Sequence, residues 1–161
     1  MHIKFDGPAV LVNDMAVSRA FYEGVLELEV LMDNGPHVAY QQGFSLWQAD
    51  HAMPLMVNKQ APGGPMGHDN FELYFESTDL EKAEQTVRKA GAAFIHPIIE
   101  QPWGQRCLRL RDPDGHVLEI GEPLPQLVQR LLGQGLTMEQ VAERTSMPLP
   151  LVRQMAGSQS A

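Results

Sequence analysis

The sequence predicts an α+β fold in which two βαβββ modules are followed by a helical extension. Strand-like and helix-like segments occur twice in the same order, and the two sets are separated by a segment rich in Gly and Pro. A module of ~55–60 residues is marginally stable alone, so we expect the two modules to share a core. The predicted domain spans residues 1–123, with modules at about 5–60 and 68–123, and the extension spans residues 124–161.

The first module starts with a short apolar strand, Pro8–Val12. Asn13 and Asp14 follow as N-cap candidates, and the next residues carry apolar side chains at helical spacing. Alternating apolar and polar residues then predict three further strands, and a short apolar run predicts an additional one. These segments are residues 28–33, 37–42 and 44–49, and then Leu55–Asn58.

The second module starts after Gln60–Gly67, whose Gly and Pro content predicts a linker or a mobile loop. Asn70–Glu76 alternates as a half-buried strand does. Thr78 and Glu81 have capping-box spacing before a helical stripe, and Gly91 lies where a helix should end. Three more strands are predicted at residues 93–99, 105–111 and 116–121, the last two joined by the turn Asp112–Gly115.

Beyond Leu124 the pattern predicts three short helices: Pro125–Leu132, Met138–Arg144 with Thr137 as N-cap, and Leu149–Met155. The last two resemble a helix-turn-helix. The extension carries three Arg against two Glu, a net charge of +1, which is too small for a strong phosphate-binding surface. We therefore favour docking of its apolar face on the main domain or on a second subunit, with DNA contact as the alternative.

Composition narrows the function classes. The chain has 161 residues and 12 Lys and Arg against 20 Asp and Glu, a formal charge of −8. This balance argues against proteins that coat nucleic acids or anionic membranes. The single cysteine, Cys107, excludes an intrachain disulfide. Because the sequence shows neither a signal peptide nor a long apolar segment, we expect a cytoplasmic protein without a membrane partner.

Three local strings resemble the vicinal oxygen chelate superfamily, which includes glyoxalase I, bleomycin-resistance proteins and extradiol dioxygenases. They are Val12-Asn13-Asp14 followed by Phe21-Tyr22 and Val25-Leu26, then Pro102–Arg106, then Asp112–Glu119. The resemblance covers roughly residues 5–122, and the second and third strings are most like the bleomycin-resistance branch. It implies that the two modules form a cup-shaped mixed sheet with a ligand cavity, and that the protein is a homodimer.

In the metal enzymes of this superfamily, the resemblance places ligands at positions that here hold Gly7, Gln48, Asn70 and Glu119. Glycine has no side chain, and amide oxygens are poor ligands for transition metals, so only Glu119 matches. We therefore predict no family-type metal site and no cofactor. His51 and His68 could substitute, but solvated loop histidines are the simpler interpretation.

A cup-shaped sheet that holds no metal can still bind a small molecule if aromatic side chains and a few polar ones line its cavity. Trp47 and Trp103, one from each module, are the leading candidates, because an indole stacks on planar or cationic compounds. Glu119 lies in an apolar strand, as an anchor for a cation or a general base would. The remaining candidates are Tyr40, Tyr74 and Arg109, and each candidate could instead fill the core or face solvent.

These observations leave three hypotheses for the function. We favour a metal-free small-molecule binding protein that sequesters a planar or cationic hydrophobic ligand between Trp47, Trp103 and Glu119. The first alternative is a superfamily enzyme, a lyase, isomerase or dioxygenase, that uses Glu119 as its base. The second is a ligand-responsive regulator that binds DNA through the C-terminal helices.

Overall fold

The computed structural model describes residues 3–157, and its first half forms one mixed sheet with two helices. The strand order is β1-β4-β3-β2, with β1 parallel to β4 and the other pairs antiparallel. The elements are β1 (Ala9–Val12), α1 (Met15–Tyr22), β2 (Val30–Asp33), β3 (His37–Tyr40), β4 (Ser45–Gln48) and α2 (Ala49–Val57).

Helix α1 begins where the sequence predicts. The Asp14 carboxylate accepts a hydrogen bond from the Val17 backbone N–H at 3.0 Å, which satisfies one of the free donors of the first turn. The helix buries Phe21 and Tyr22 against the sheet, where Leu46 is also fully buried. Local capping and the apolar stripe of the helix together explain this packing.

The second half forms another four-stranded sheet, in the order β5-β8-β7-β6. Its helix α3 is capped by Asp79, whose carboxylate accepts from the Lys82 backbone N–H at 2.9 Å, so the predicted capping box of Thr78 and Glu81 is wrong by one position. Gly91 has a φ of +76° just after this helix, as its predicted role requires. The elements are β5 (Glu72–Glu76), α3 (Leu80–Lys89), β6 (Ala93–Glu100), β7 (Arg106–Arg111) and β8 (Val117–Gly121).

The extension folds into three helices around a small apolar core. Thr137 caps the second of them in a complete capping box with Gln140, which confirms the predicted start. The third helix follows a left-handed turn at Ser146. The helices are α4 (Leu124–Gly133), α5 (Met138–Thr145) and α6 (Leu149–Gly157), and their buried residues are Leu127, Val128, Leu131, Val141 and Val152.

The predicted α+β fold class is confirmed, but the extra strand at Leu55–Asn58 is wrong. That segment is the end of α2, which stops at Asn58 in a left-handed conformation. Helix α2 buries Ala49 and Ala52, whereas Leu55, Met56 and Val57 remain exposed. An apolar run was therefore not evidence of a buried strand here. None of the helices within residues 3–157 has the length and apolarity of a membrane span.

The chain divides into two compact units. Among the described residues, the first unit contains residues 3–71 together with residues 90–92 and 111–117. The second unit contains residues 72–89, 93–110 and 118–157. The C-terminal helices thus belong to the same unit as most of the second sheet.

Candidate functional site

A row of ionisable side chains crosses the second sheet, with one residue from each strand. Glu119 in β8 forms an ion pair with Arg109 in β7. Arg109 also donates from Nε to the Glu72 carboxylate of β5 at 3.1 Å, and its Nη1 lies 3.4 Å from Nε2 of His96 in β6. These contacts place the four side chains on one side of the sheet, which we call the polar face.

Burial raises the pKa of one carboxyl group in this row and of one neighbouring thiol. Glu119 is only 3% exposed, and burial raises the pKa of its carboxyl group, although the charge of Arg109 opposes that rise. The neighbouring Cys107 is fully buried, and burial likewise raises the pKa of its thiol. A buried thiol that stays protonated is a poor nucleophile, so Cys107 has a packing role.

Gln105 joins two aromatic side chains next to this row. Its amide N–H groups donate to the Tyr74 hydroxyl at 2.9 Å and to the Glu122 carbonyl at 2.8 Å, and its amide oxygen accepts from the Trp103 indole at 3.2 Å. Trp103 is 39% exposed and Tyr74 is 47% exposed, so both rings remain accessible although their polar atoms are fixed.

Gly121 in β8 leaves the space that the side chains of Tyr74 and Gln105 occupy. A Cβ atom at that position would lie 3.0 Å from the Tyr74 hydroxyl and 3.1 Å from the Gln105 amide nitrogen. Burial raises the pKa of Tyr74 to about 12, so its hydroxyl remains protonated at neutral pH and can donate a hydrogen bond. Gln105 is not among the predicted site residues, although it lies within the Pro102–Arg106 string that carries part of the resemblance.

Four of the predicted site residues therefore share the polar face. Gln105 and Arg109 lie four residues apart at β7, and Glu72 and Tyr74 lie two apart in β5, so the period-two alternation of a strand gives each pair a common side. Leu108 and Leu110 point to the opposite side and are fully buried. The four residues are Tyr74, Trp103, Arg109 and Glu119.

The other two candidates lie in the first unit. Tyr40 is 1% exposed and stacks on Phe44 with ring centroids 5.1 Å apart, while its hydroxyl donates to Glu23 at 3.1 Å. Core packing accounts for this side chain. Trp47 is half-buried and donates from its indole nitrogen to Nδ1 of His51 at 3.0 Å, so it belongs to a more accessible aromatic cluster.

The residues that the resemblance places at metal-ligand positions do not fit a transition metal. Gly7 has a φ of +142°, and a Cβ atom there would lie 2.1 Å from the Gly43 carbonyl oxygen, so no side chain fits without backbone movement. The Gln48 amide accepts from the Met15 N–H at 3.0 Å and donates to the Asn13 carbonyl at 2.6 Å.

Asn70 offers only an amide oxygen, and Glu119 is already paired with Arg109. His51 is engaged with Trp47, and His68 is exposed. Within the described residues, no group of three or more His, Cys, Asp or Glu side chains is arranged to hold a metal ion.

The first unit also contains an open cavity of about 390 Å³. One wall of the cavity is formed by the start of β1. The opposite wall is formed by residues between Met66 and Phe71 and by His116. Nε2 of His116 lies 2.8 Å from the Leu11 carbonyl oxygen and thereby fixes the imidazole at this wall. His68 and Asn70 line this cavity, whereas none of the six predicted ligand-binding residues does.

The arginines of the C-terminal helices are all ion-paired. Arg130 pairs with Glu100 and Glu122, Arg144 pairs with Glu100, and Arg153 lies 3.6 Å from Glu139. Phosphate contact by these side chains would first require that intramolecular pairs open. DNA binding by the extension stays a prediction that this geometry does not favour.

The two four-stranded sheets and their helices define an α+β fold, and the second sheet carries the polar face. Residues 5–125 match the sequence model of the glyoxalase-like domain, and the chain belongs to that family. Helices α4–α6 lie almost entirely outside the matched residues.

Several individual proteins are similar to this chain in sequence or in fold. A crystal structure of a protein of unknown function from Agrobacterium tumefaciens is 33% identical, with a TM-score of 0.71 over 76% of this chain and 96% of the other. A glyoxalase/bleomycin resistance protein/dioxygenase from Nocardioides has a TM-score of 0.60 at 18% identity, over 76% and 85% of the two chains, which shows a shared fold. An uncharacterized protein from Mycobacterium bovis is 25% identical over 127 residues, covering 74% of this chain and 84% of its own length.

Proposed function

We propose that this protein binds a planar, cationic organic molecule on the polar face, without a family-type metal. The observation that carries the proposal is the pair of accessible rings, Trp103 and Tyr74, held by Gln105 beside a row of carboxylates. Rings that are fixed before binding lose little conformational entropy when a flat ligand stacks on them.

The charge of the polar face favours a cation. Glu72, Glu76 and Glu119 supply three carboxylates beside the guanidinium of Arg109, whereas Arg111, on the same side of β7, is paired with Asp69. Glu76 accepts a hydrogen bond from the Tyr74 hydroxyl at 3.2 Å and so lies next to one of the rings. An aromatic face with neighbouring carboxylates recognises a positively charged ring system through stacking and cation–π attraction.

Dye binding tests the proposal. Proflavine, a planar aromatic cation, is titrated and followed by its fluorescence, with the anionic dye ANS as the charge control. We expect Trp103→Ala to weaken proflavine binding by about 5–30-fold, as the loss of ~1–2 kcal/mol of cation–π and stacking energy requires. Tyr74→Phe keeps the ring and should bind nearly as well as the parent. Absence of proflavine binding, or stronger binding of ANS, contradicts the proposal.

The metal-free part of the proposal has its own measurement. Elemental analysis of the purified, dialysed protein should show no stoichiometric zinc, nickel, iron or manganese, because three of the four family ligand positions lack suitable donors. A stoichiometric metal that is lost in Glu119→Gln would overturn this part while leaving the dye result unchanged.

A second candidate function is catalysis with Glu119 as general base. Its support is the burial of Glu119 and the raised pKa of its carboxyl group, which are typical of acid–base residues. The ion pair with Arg109 would have to open for Glu119 to accept a substrate proton. One structural neighbour, from Agrobacterium tumefaciens, is a lactoylglutathione lyase. Lactoylglutathione turnover that disappears in Glu119→Gln would favour this candidate.

We also propose that the protein forms a homodimer. Strand β2 lies at an edge of the first sheet, and its apolar side chains Val30, Leu31 and Met32 are all exposed. An exposed apolar edge strand is a common place for a second copy to pair. Light scattering after size-exclusion chromatography should give a dimer for the parent and a monomer for Leu31→Glu. A monomeric parent would contradict the proposal.

A further inference from the structure

Two arginines of the C-terminal helices contact the turn at residues 101–104, which carries Trp103 and which we call the Trp103 turn. Arg130 of α4 donates from Nη2 to the Gly104 carbonyl oxygen. Arg144 of α5 packs on the same residue, since a Cβ atom at Gly104 would lie 3.1 Å from its Nε. Gly104 has a φ of +91°, so any other residue at this position would be strained.

Arg130 is the central cation of a network that ties the helices to the second sheet. It makes two hydrogen bonds to the Glu122 carboxylate, from Nε at 3.1 Å and from Nη2, and a third from Nη1 to Glu100 at 3.0 Å. The other oxygen of Glu100 pairs with Arg144. Glu122 is only 5% exposed, so the planar guanidinium binds a carboxylate that is largely withdrawn from water.

Glu122 connects this network to the proposed ligand-binding rings. Its carboxylate accepts from the Arg106 backbone N–H at 2.8 Å, and its carbonyl accepts from the Gln105 side chain at 2.8 Å. Gln105 in turn holds the polar atoms of Trp103 and Tyr74. A continuous path of hydrogen bonds therefore runs from Arg130 through Glu122 and Gln105 to both rings.

We propose that the C-terminal helices position the Trp103 turn, with Arg130 and Arg144 as positioning residues. The helices thereby hold the ring in its binding orientation, although they lie outside the part of the chain that matches the family. The consequence for ligand affinity rests on the proposed function. The order of the turn itself is measured without any ligand.

Tryptophan fluorescence tests the positioning. The chain has two tryptophans, so Trp47→Phe leaves Trp103 as the only indole. In this background we expect Arg130→Gln and Arg144→Gln to increase acrylamide quenching of Trp103 and to shift its emission to longer wavelength. Arg130→Lys keeps the charge but loses the planar fork, so its quenching should lie between those of the parent and Arg130→Gln.

Two controls separate positioning from general destabilisation. Arg153→Gln removes another ion pair from the same helices, the exposed pair of Arg153 with Glu139. Val87→Ala removes volume from the buried side of α3. Both should leave the quenching of Trp103 at the parent value. Equal quenching in Arg130→Gln, Arg144→Gln and Arg153→Gln, or a similar rise in Val87→Ala, would overturn the inference.

Proflavine titration of the same variants tests the consequence for binding. We expect Arg130→Gln to bind proflavine about tenfold more weakly than the Trp47→Phe parent, a loss equivalent to about 1.4 kcal/mol. Increased quenching with unchanged proflavine affinity would overturn the link between the helices and binding. Increased quenching when the parent itself binds no proflavine would refute the proposed function and leave the positioning of the turn supported.

Discussion

Replacing Arg109 by Met is the sharpest test of the charge arrangement on the polar face. The substitution keeps much of the side-chain length but leaves the Glu119 carboxylate, in a side chain that is 4% exposed, without its cation. Glu72 loses the same partner, but it is 43% exposed and water can replace the contact. The cost should therefore come mainly from Glu119.

The magnitude follows from the cost of breaking a buried ion pair, which is ~3–5 kcal/mol when one partner is removed. Because Arg109 is itself 23% exposed, we place the expected loss at the lower end, about 3 kcal/mol at neutral pH. For a chain of this length, that corresponds to a fall in Tm of roughly 6–12 °C.

The loss should depend on pH. Burial holds the pKa of Glu119 above its ordinary value of 4.5, and removal of Arg109 takes away the main charge that opposes this rise. The folded state then binds a proton that the unfolded state has already lost, so stability decreases as the pH rises from the unfolded to the folded pKa. The penalty of Arg109→Met should therefore be small near pH 5 and increase toward pH 8.

Thermal unfolding followed by circular dichroism between pH 5 and pH 8 measures this penalty. The double variant Arg109→Met/Glu119→Gln is the control, because it removes both charges and should recover much of the lost stability at pH 8. A penalty below about 1 kcal/mol, the usual value of an exposed pair, would refute the reasoning. So would a penalty that does not change with pH.

Three further substitutions test other parts of the structure. Gly7→Ala should lower the free energy of unfolding by about 1–3 kcal/mol more than Gly35→Ala does. Both glycines have a positive φ, but only a Cβ atom at Gly7 would clash with backbone atoms. Equal Tm values for the two variants would contradict this. Tyr22→Phe should lower the free energy of unfolding by about 1–2 kcal/mol in urea titrations, because its buried hydroxyl donates at 2.8 Å to a buried carboxylate; an unchanged midpoint would show that water replaces the bond. Asp79→Ala should lower the free energy of unfolding by about 1 kcal/mol because it removes the helix cap, whereas Thr78→Ala should have little effect. A larger loss of Tm in Thr78→Ala than in Asp79→Ala would instead support the capping box predicted from the sequence.

Much of the fold was predictable because the signals are local. Asp14 and Thr137 cap helices at the predicted positions, and Gly91 ends one as expected. Caps and periodic burial depend on residues within a few positions of each other, so the sequence records them directly. The error at α2 has the same origin, since a short apolar run does not distinguish a strand from a helix with an exposed apolar side.

The site was only partly predictable. Tyr40 and Tyr74 alternate with apolar neighbours in the same way, yet one fills the core of the first unit and the other lies on the polar face. The roles of Gln105 and Gln48 could not be predicted, because each acts through contacts with residues far along the chain. Such contacts exist only after the strands have paired.

By itself, the sequence predicted the α+β fold with two βαβββ modules and a three-helix extension. The tertiary structure decided which side chains meet. The strand order β5-β8-β7-β6 places β5 beside β8, so Glu119 and Glu72 reach the same guanidinium although they are far apart in the chain. It also brings Arg130 to the Trp103 turn. Local periodicity in the sequence specifies the helices and strands. Strand order and burial decide which side chains become neighbours, and those neighbours determine the local charge, the pKa of each buried group and how firmly each side chain is held.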